Sequence, residues 1–218
     1  MDFIELCRSK AKRHFYRVSF PLRSDTFFIE KITMRKTKKV IIPLDDFSDC
    51  DGLEFSIYGN AKYLGNKSNP YLVLVGVTAT TYKRYEINPK TCVILENAFK
   101  NCKRLTHILI PYSVKSIGGC VFFGCSALKS VTIGNSLRAI PNAAFACCLN
   151  LSTVFIPDSI ASIGNGAFYH CDALTSVHYG GTIEKWNAIK KGLEWGSNVE
   201  KVVGNGWEIA EPKCLQDD

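Results

Sequence analysis

The amino-acid sequence predicts an α/β solenoid. In it, short parallel strands and helical or 3₁₀ turns stack coil on coil, capped at both ends. Three observations predict it. One set of residues recurs every 23 positions, without a gap, from Ile94 to Tyr179. Within each period the apolar spacing switches from three to two. The flanking stretches break the period and carry residues suited to closing the stack.

The period is plain once Ile94, Ile117, Ile140 and Ile163 are aligned. Phe99, Phe122, Phe145 and Phe168 keep the same step, as do Cys102, Cys125, Cys148 and Cys171. So do Leu105, Leu128, Leu151 and Leu174, then Ile108, Val131, Val154 and Val177, then Ile110, Ile133, Ile156 and Tyr179. Softer columns are Ala98, Val121, Ala144, Ala167 and Val114, Leu137, Ile160, Ile183. A fixed period in this range marks stacked coils. One coil buries too little apolar surface to offset its ordering entropy, so the coils must bury one another's faces.

Each coil is read in order. Ala98-Phe99-x-x-Cys102-x-x-Leu105 has period three, which suits a helical turn, 3₁₀ in type. Leu105-x-x-Ile108-x-Ile110 ends in period two, a short strand stopped by Pro111. A second extended stretch runs through Val114 and Ile117.

The run ILENAFKNCKRLTHILIPYSVKS resembles the BspA-type leucine-rich repeats. That resemblance implies a right-handed leucine-rich-repeat solenoid. Val121 and Gly134-Asn135 in the second repeat, and Pro141 in the third, depart from the pattern at soft positions. NAKYLGNKSNPYLVL resembles an insert that interrupts such arrays, and YGGTIEKW a carboxy-terminal cap. The chain thus divides into four segments. Residues 1–39 are a basic amino-terminal segment, and 40–93 a truncated repeat plus insert. Residues 94–179 hold four repeats, and 180–218 the cap and tail. VIIP at 40–43 reads as the strand end of a truncated coil. In the cap, Thr182 is placed to start a short helix, Gly192 to end it, and Trp186 and Ile189 to cover the last coil. Residues 199–203 add a final strand.

The formal charge of +7 is concentrated at one end. Residues 1–40 hold 11 Lys/Arg and 4 Asp/Glu, whereas 41–218 hold 16 of each. Phe3, Cys7, Ala11 and Phe15 have helical spacing, which would leave Arg8, Lys10, Lys12, Arg13 and Arg17 facing water. This basic patch could meet an anionic membrane or nucleic acid, but a solvated helix face is the favoured reading, with nucleic acid disfavoured. No apolar run approaches the ~18 residues of a membrane-spanning helix. The start, MDFIELCRSKAKRHF, has charges where a secretory leader would be apolar. A whole chain would therefore be intracellular, and a fragment, or a chain exported by another route, would belong at the cell surface.

No catalytic, metal or cofactor constellation emerges. The four column cysteines read as buried, reduced packing residues, since a straight ladder gives neither disulfide nor tetrahedral geometry. GNAKYLGNKS, residues 59–68, misses the phosphate-loop spacing twice and is followed by Pro70. His14, His107, His170 and His178 have neither triad order nor metal spacing. Asn66 and Asn150 head N-x-S motifs that matter only in a glycosylating compartment.

One surface remains. If Ile108 and Ile110 point inward, two outward columns result: His107, Ser130, Thr153, Ser176, and Leu109, Thr132, Phe155, His178. Leu109 and Phe155 are apolar among polar neighbours, which reads either as a binding patch or as ordinary scattered apolar surface, or as a surface that residues 1–93 fold over. The sequence therefore reads as a non-enzymatic module for protein–protein contact. The resemblance adds adhesion at a cell surface. The protein ligand itself stays open.

Overall fold

The computed structural model describes residues 54–210 in full, and before them the backbone of four strands. The chain forms two compact units, Met1–Asp51 and Gly52–Asp218.

In the first unit, β1 (Phe3–Leu6), β2 (His14–Ser19), β3 (Thr26–Thr33) and β4 (Lys36–Pro43) form an antiparallel meander in sequence order. This corrects two expectations. Phe3, Phe15 and Arg17 lie on strands rather than on a helix. Residues 40–43 end β4, paired antiparallel to β3, and are no part of a coil. Pairing overrode helical spacing because β2 and β3 are rich in aromatic and β-branched residues. The register also sets Glu5, Arg17, Glu30 and Lys39 in one row, with charge alternating from strand to strand. Arg8, Lys10, Lys12 and Arg13 lie outside the described residues.

The second unit opens with an antiparallel meander of β5 (Glu54–Tyr58), β6 (Ala61–Gly65) and β7 (Val73–Val77). β7 then pairs in parallel with β8 (Val93–Ile94), the first strand of the array. The insert is thus the array's amino-terminal cap. Its Tyr63 is fully buried, in ring contact with Tyr58 and Tyr71. The following loop is built on its own side chains. Asn66 Oδ1 accepts from Asn69 N and Ser68 Oγ, both at 2.8 Å, and Asn69 Nδ2 donates to Lys90 O at 2.8 Å. Gly65 is required there, since a Cβ would lie 2.1 Å from Asn69 O.

Longer and shorter strands then alternate through the coils. They are β9 (His107–Ile110), β10 (Ser116–Ile117), β11 (Ser130–Ile133), β12 (Ala139–Ile140), β13 (Thr153–Ile156), β14 (Ser162–Ile163) and β15 (Ser176–Tyr179). β9, β11, β13 and β15 pair in parallel, each shifted by the 23-residue period, as in Ser130 opposite both His107 and Thr153. The shorter strands line a second side of the coil.

The third side is a ladder of turns, and no helix forms within it. Each turn closes singly, as in Cys102 N to Phe99 O at 3.1 Å and Leu105 N to Cys102 O at 3.0 Å. Between these turns sit left-handed residues, in one column Asn97, Cys120, Ala143 and Gly166 and in another Asn101, Gly124, Cys147 and His170. Their reversal of hand lets alternate N–H groups point along the solenoid axis. Phe99, Phe122 and Phe145 N donate to the next coil's Val121, Ala144 and Ala167 O at 2.8–2.9 Å. The backbone is thereby satisfied between coils rather than along a helix.

The core is ordered by the same step. Phe99, Phe122, Phe145 and Phe168 stack at 4.9, 5.2 and 5.2 Å, with interplanar angles of 16°, 6° and 4°. Tyr85 closes one end of the stack edge-on and Trp195 the other. The column cysteines are reduced and buried. Cys125, Cys148 and Cys171 Sγ donate to the carbonyls of Phe99, Phe122 and Phe145 in the preceding coil, at 3.1–3.3 Å. The neighbouring thiols, together with burial, push the Cys102 and Cys148 thiols up.

The cap follows at once. α1 (Ile183–Ala188) starts at Thr182, whose hydroxyl accepts from Lys185 N at 3.4 Å, and buries Trp186. It ends at Ile189, in extended conformation, not at Gly192. Gly192 instead lets the chain pass Asn165, whose Oδ1 would lie 2.3 Å from a Cβ there. β16 (Lys190–Lys191) joins the short-strand side, and β17 (Lys201–Gly204) pairs in parallel with β15. β18 (Trp207–Ala210) turns back antiparallel and closes the sheet.

Candidate interaction face

The long strands of the repeats alternate buried and outward residues. Ile108, Ile110, Val131, Ile133, Val154 and Ile156 are buried, which turns the residues between them outward. Register then assembles the two columns. His107, Ser130, Thr153 and Ser176 lie side by side, and so do Leu109, Thr132, Phe155 and His178. All eight residues singled out in the sequence share one sheet face.

The face is not uniform. Leu109 is 61% exposed and Phe155 51%. The Phe155 and His178 rings stack at 4.9 Å and 20°, so the imidazole is half-buried against the phenyl. His107 is exposed, its Nδ1 3.0 Å from Thr106 Oγ1. Leu109 and the Phe155–His178 pair are thus two apolar points separated by Thr132, beside a column whose Ser130, Thr153 and Ser176 hydroxyls can complete a partner's hydrogen bonds.

Sequence reasoning missed part of this surface. β17 sets Lys201 beside Ser176 and Val203 beside His178, and β18 adds Glu208 beside Val203. Lys201 Nζ meets Glu208 Oε1 at 3.2 Å. The signal was present in Asn205-Gly206, a two-residue hairpin turn between alternating strands. Even so, six strands about 4.8 Å apart and four residues at about 3.3 Å each give a face of only about 300 Å². A standard interface takes about 800 Å² from each partner.

The other sequence features resolve plainly. β6 runs through the middle of GNAKYLGNKS, so no phosphate loop exists there. Asn66, at 8% exposure, is folded into its loop, whereas Asn150 is exposed and donates to Ser126 O at 2.7 Å. His170 lies 3.8 Å from Asp172 on the turn side. Among the described residues no cluster of His, Cys, Asp and Glu has metal-binding geometry, and no helix is long and apolar enough to cross a membrane.

Comparison with known proteins fits this geometry. A family profile described as "BspA type Leucine rich repeat region (6 copies)" matches residues 92–193. The array of this chain is therefore a BspA-type leucine-rich-repeat region. Among solved structures, a leucine-rich cell surface protein of Faecalibacterium prausnitzii is similar at 25% identity and a TM-score of 0.50. The match covers 62% of this chain and 42% of that one. The pneumococcal vaccine antigen PcpA shares the fold at 18% identity and a TM-score of 0.55, over 69% of this chain and 36% of that one. The chain thus spans less than half the length of either. No curated protein matches it.

Proposed function

We propose that this chain is a non-enzymatic interaction module that docks a protein ligand on the long-strand face, with Leu109, Phe155 and His178 as the apolar centre. The observation that carries the reading is the exposure of Leu109 and Phe155 in one outward column, beside the polar column of His107, Ser130, Thr153 and Ser176. Apolar anchors rimmed by polar groups are the usual make-up of a docking patch. The small area favours weak or multivalent contact. The cell-surface relative supports adhesion as the setting, with the array as one segment of a longer surface.

The test compares wild type with Leu109→Ser/Phe155→Ser in binding to intact bacterial and host cells, read by flow cytometry. Arg138→Ser, next to the short strands, is the control. The expected result is loss of binding in the double variant alone. Equal binding by all three would remove recognition from this face.

A further inference from the structure

We propose a second binding site, for a neutral saccharide unit, in the cleft where the fourth coil meets the carboxy-terminal cap. The cleft has a volume of about 460 Å³, within the usual range of small-ligand sites. Gly180 and Gly181, which follow β15, lie in its lining and add no side chains to it. Trp207 forms one wall, its indole Nε1 held by Gly181 O at 3.2 Å. Asp158 and Lys185 form the other, joined at 2.7 Å. Asn205 stands on the rim, on the hairpin that carries Trp207. Beside the floor, Tyr179 is 3% exposed, and its hydroxyl has no hydrogen-bond partner among the described residues. A Cβ on Gly181 would lie 2.7 Å from the Tyr179 ring and 2.9 Å from Asp158 Cβ, so glycine is what lets the chain pack this closely beside the cleft.

The ligand class follows from how the charges are spent. Asp158 and Lys185 neutralise one another, and Glu184 adds a further acceptor to the lining. An ionic ligand seated against Asp158 or Lys185 would have to break that pair. A neutral one would not, because each carboxylate keeps unused lone pairs and the ammonium keeps unused donors. Sugar hydroxyls donate and accept at once, so they can pair with carboxylate, ammonium and amide in a single site. The indole wall offers an apolar surface to the C–H face of a pyranose while its N–H is already engaged.

The experiment is saturation-transfer NMR on the full chain with a panel of free neutral pyranoses and disaccharides: glucose, galactose, mannose, N-acetylglucosamine and lactose. At least one should show saturated ring protons at millimolar concentration. Gly180→Val should weaken that signal about tenfold or more. A Cβ at Gly180 meets nothing closer than 3.6 Å, and an unchanged circular dichroism spectrum and Tm will establish that the valine methyls leave the fold intact. Asn205→Ala should weaken the signal too, while Leu109→Ser/Phe155→Ser should leave it unchanged. No saturation with any sugar, or equal saturation in wild type and Gly180→Val, would overturn the site. Loss of signal in the strand-face variant alone would overturn its placement. The strand-face reading stands or falls separately, in the cell-binding assay.

Discussion

Two aromatic stacks run through this solenoid at nearly the same spacing, one on the turn side and one on the long-strand face. Phe122 and Phe145 stack at 5.2 Å with both rings fully buried. Phe155 and His178 stack at 4.9 Å with Phe155 half in water. The first stack recurs in every repeat and is closed by an edge-on ring at each end. The second occurs once, in an outward column that otherwise holds Leu109 and Thr132. Equal geometry therefore serves different ends. The repeating inward stack holds coils together, and the single outward stack varies what the surface offers. A solenoid permits this separation because inward and outward residues alternate along each strand and seldom touch.

The comparison breaks first where burial is deepest. Phe122→Ala should cost about 3–5 kcal/mol, read by denaturant unfolding, because it leaves a cavity between two stacked rings. A cost below about 1 kcal/mol would mean that the stack is ornamental. Gly164→Ala comes next. Its Cβ would lie 2.4 Å from Asn142 Oδ1 and 2.5 Å from Asn142 N. That overlap should cost about 1–3 kcal/mol. The matched control, Gly180→Ala, should stay within about 0.5 kcal/mol of wild type.

A smaller effect of opposite sign is expected on the turn side. Cys147 has φ +60°, and Asn101 holds the same column position at the same φ. Cys147→Asn should therefore raise stability by about 0.5–1 kcal/mol, seen as a higher Tm. The smallest effect concerns pH. The hydrogen bond from Lys185 holds the Asp158 carboxyl below its ordinary range. Its contribution is thus present above that range and lost as pH falls through the lowered value. Asp158→Asn should flatten the acid side of the Tm-against-pH curve slightly, and also the far alkaline side, where Lys185, whose pKa the same pair raises, loses its proton.

Much of the fold was legible because repetition makes a pattern its own control. Phe99 and Cys102 are weak signals alone, but recurring at 23 residues they mark columns, and the columns give the strand register directly. The candidate face was legible for the same reason, since strands that stack in register align Leu109 with Phe155. What could not be read depends on pairing at a distance. Phe3 and Phe15 have helical spacing, yet β2 is held by β1 and β3, partners that no local window contains. Residues 40–43 resemble a coil's strand but pair backwards with β3. Thr182 was readable as a helix start because capping is local. The helix stop was not, because Gly192 serves a packing contact with Asn165 one coil away. The cleft was hidden for a like reason, as its walls come from Asp158, Lys185 and Trp207 on three separate elements.

The most direct test of the division of labour is the unfolding free energy of Leu109→Ser/Phe155→Ser. The account predicts a loss under about 1 kcal/mol, the scale of an exposed strand substitution, with the circular dichroism spectrum unchanged. A loss of about 3 kcal/mol or more, matching that of a buried ring, would show that the outward stack also holds the coils together. That result would contradict the separation of scaffold from surface.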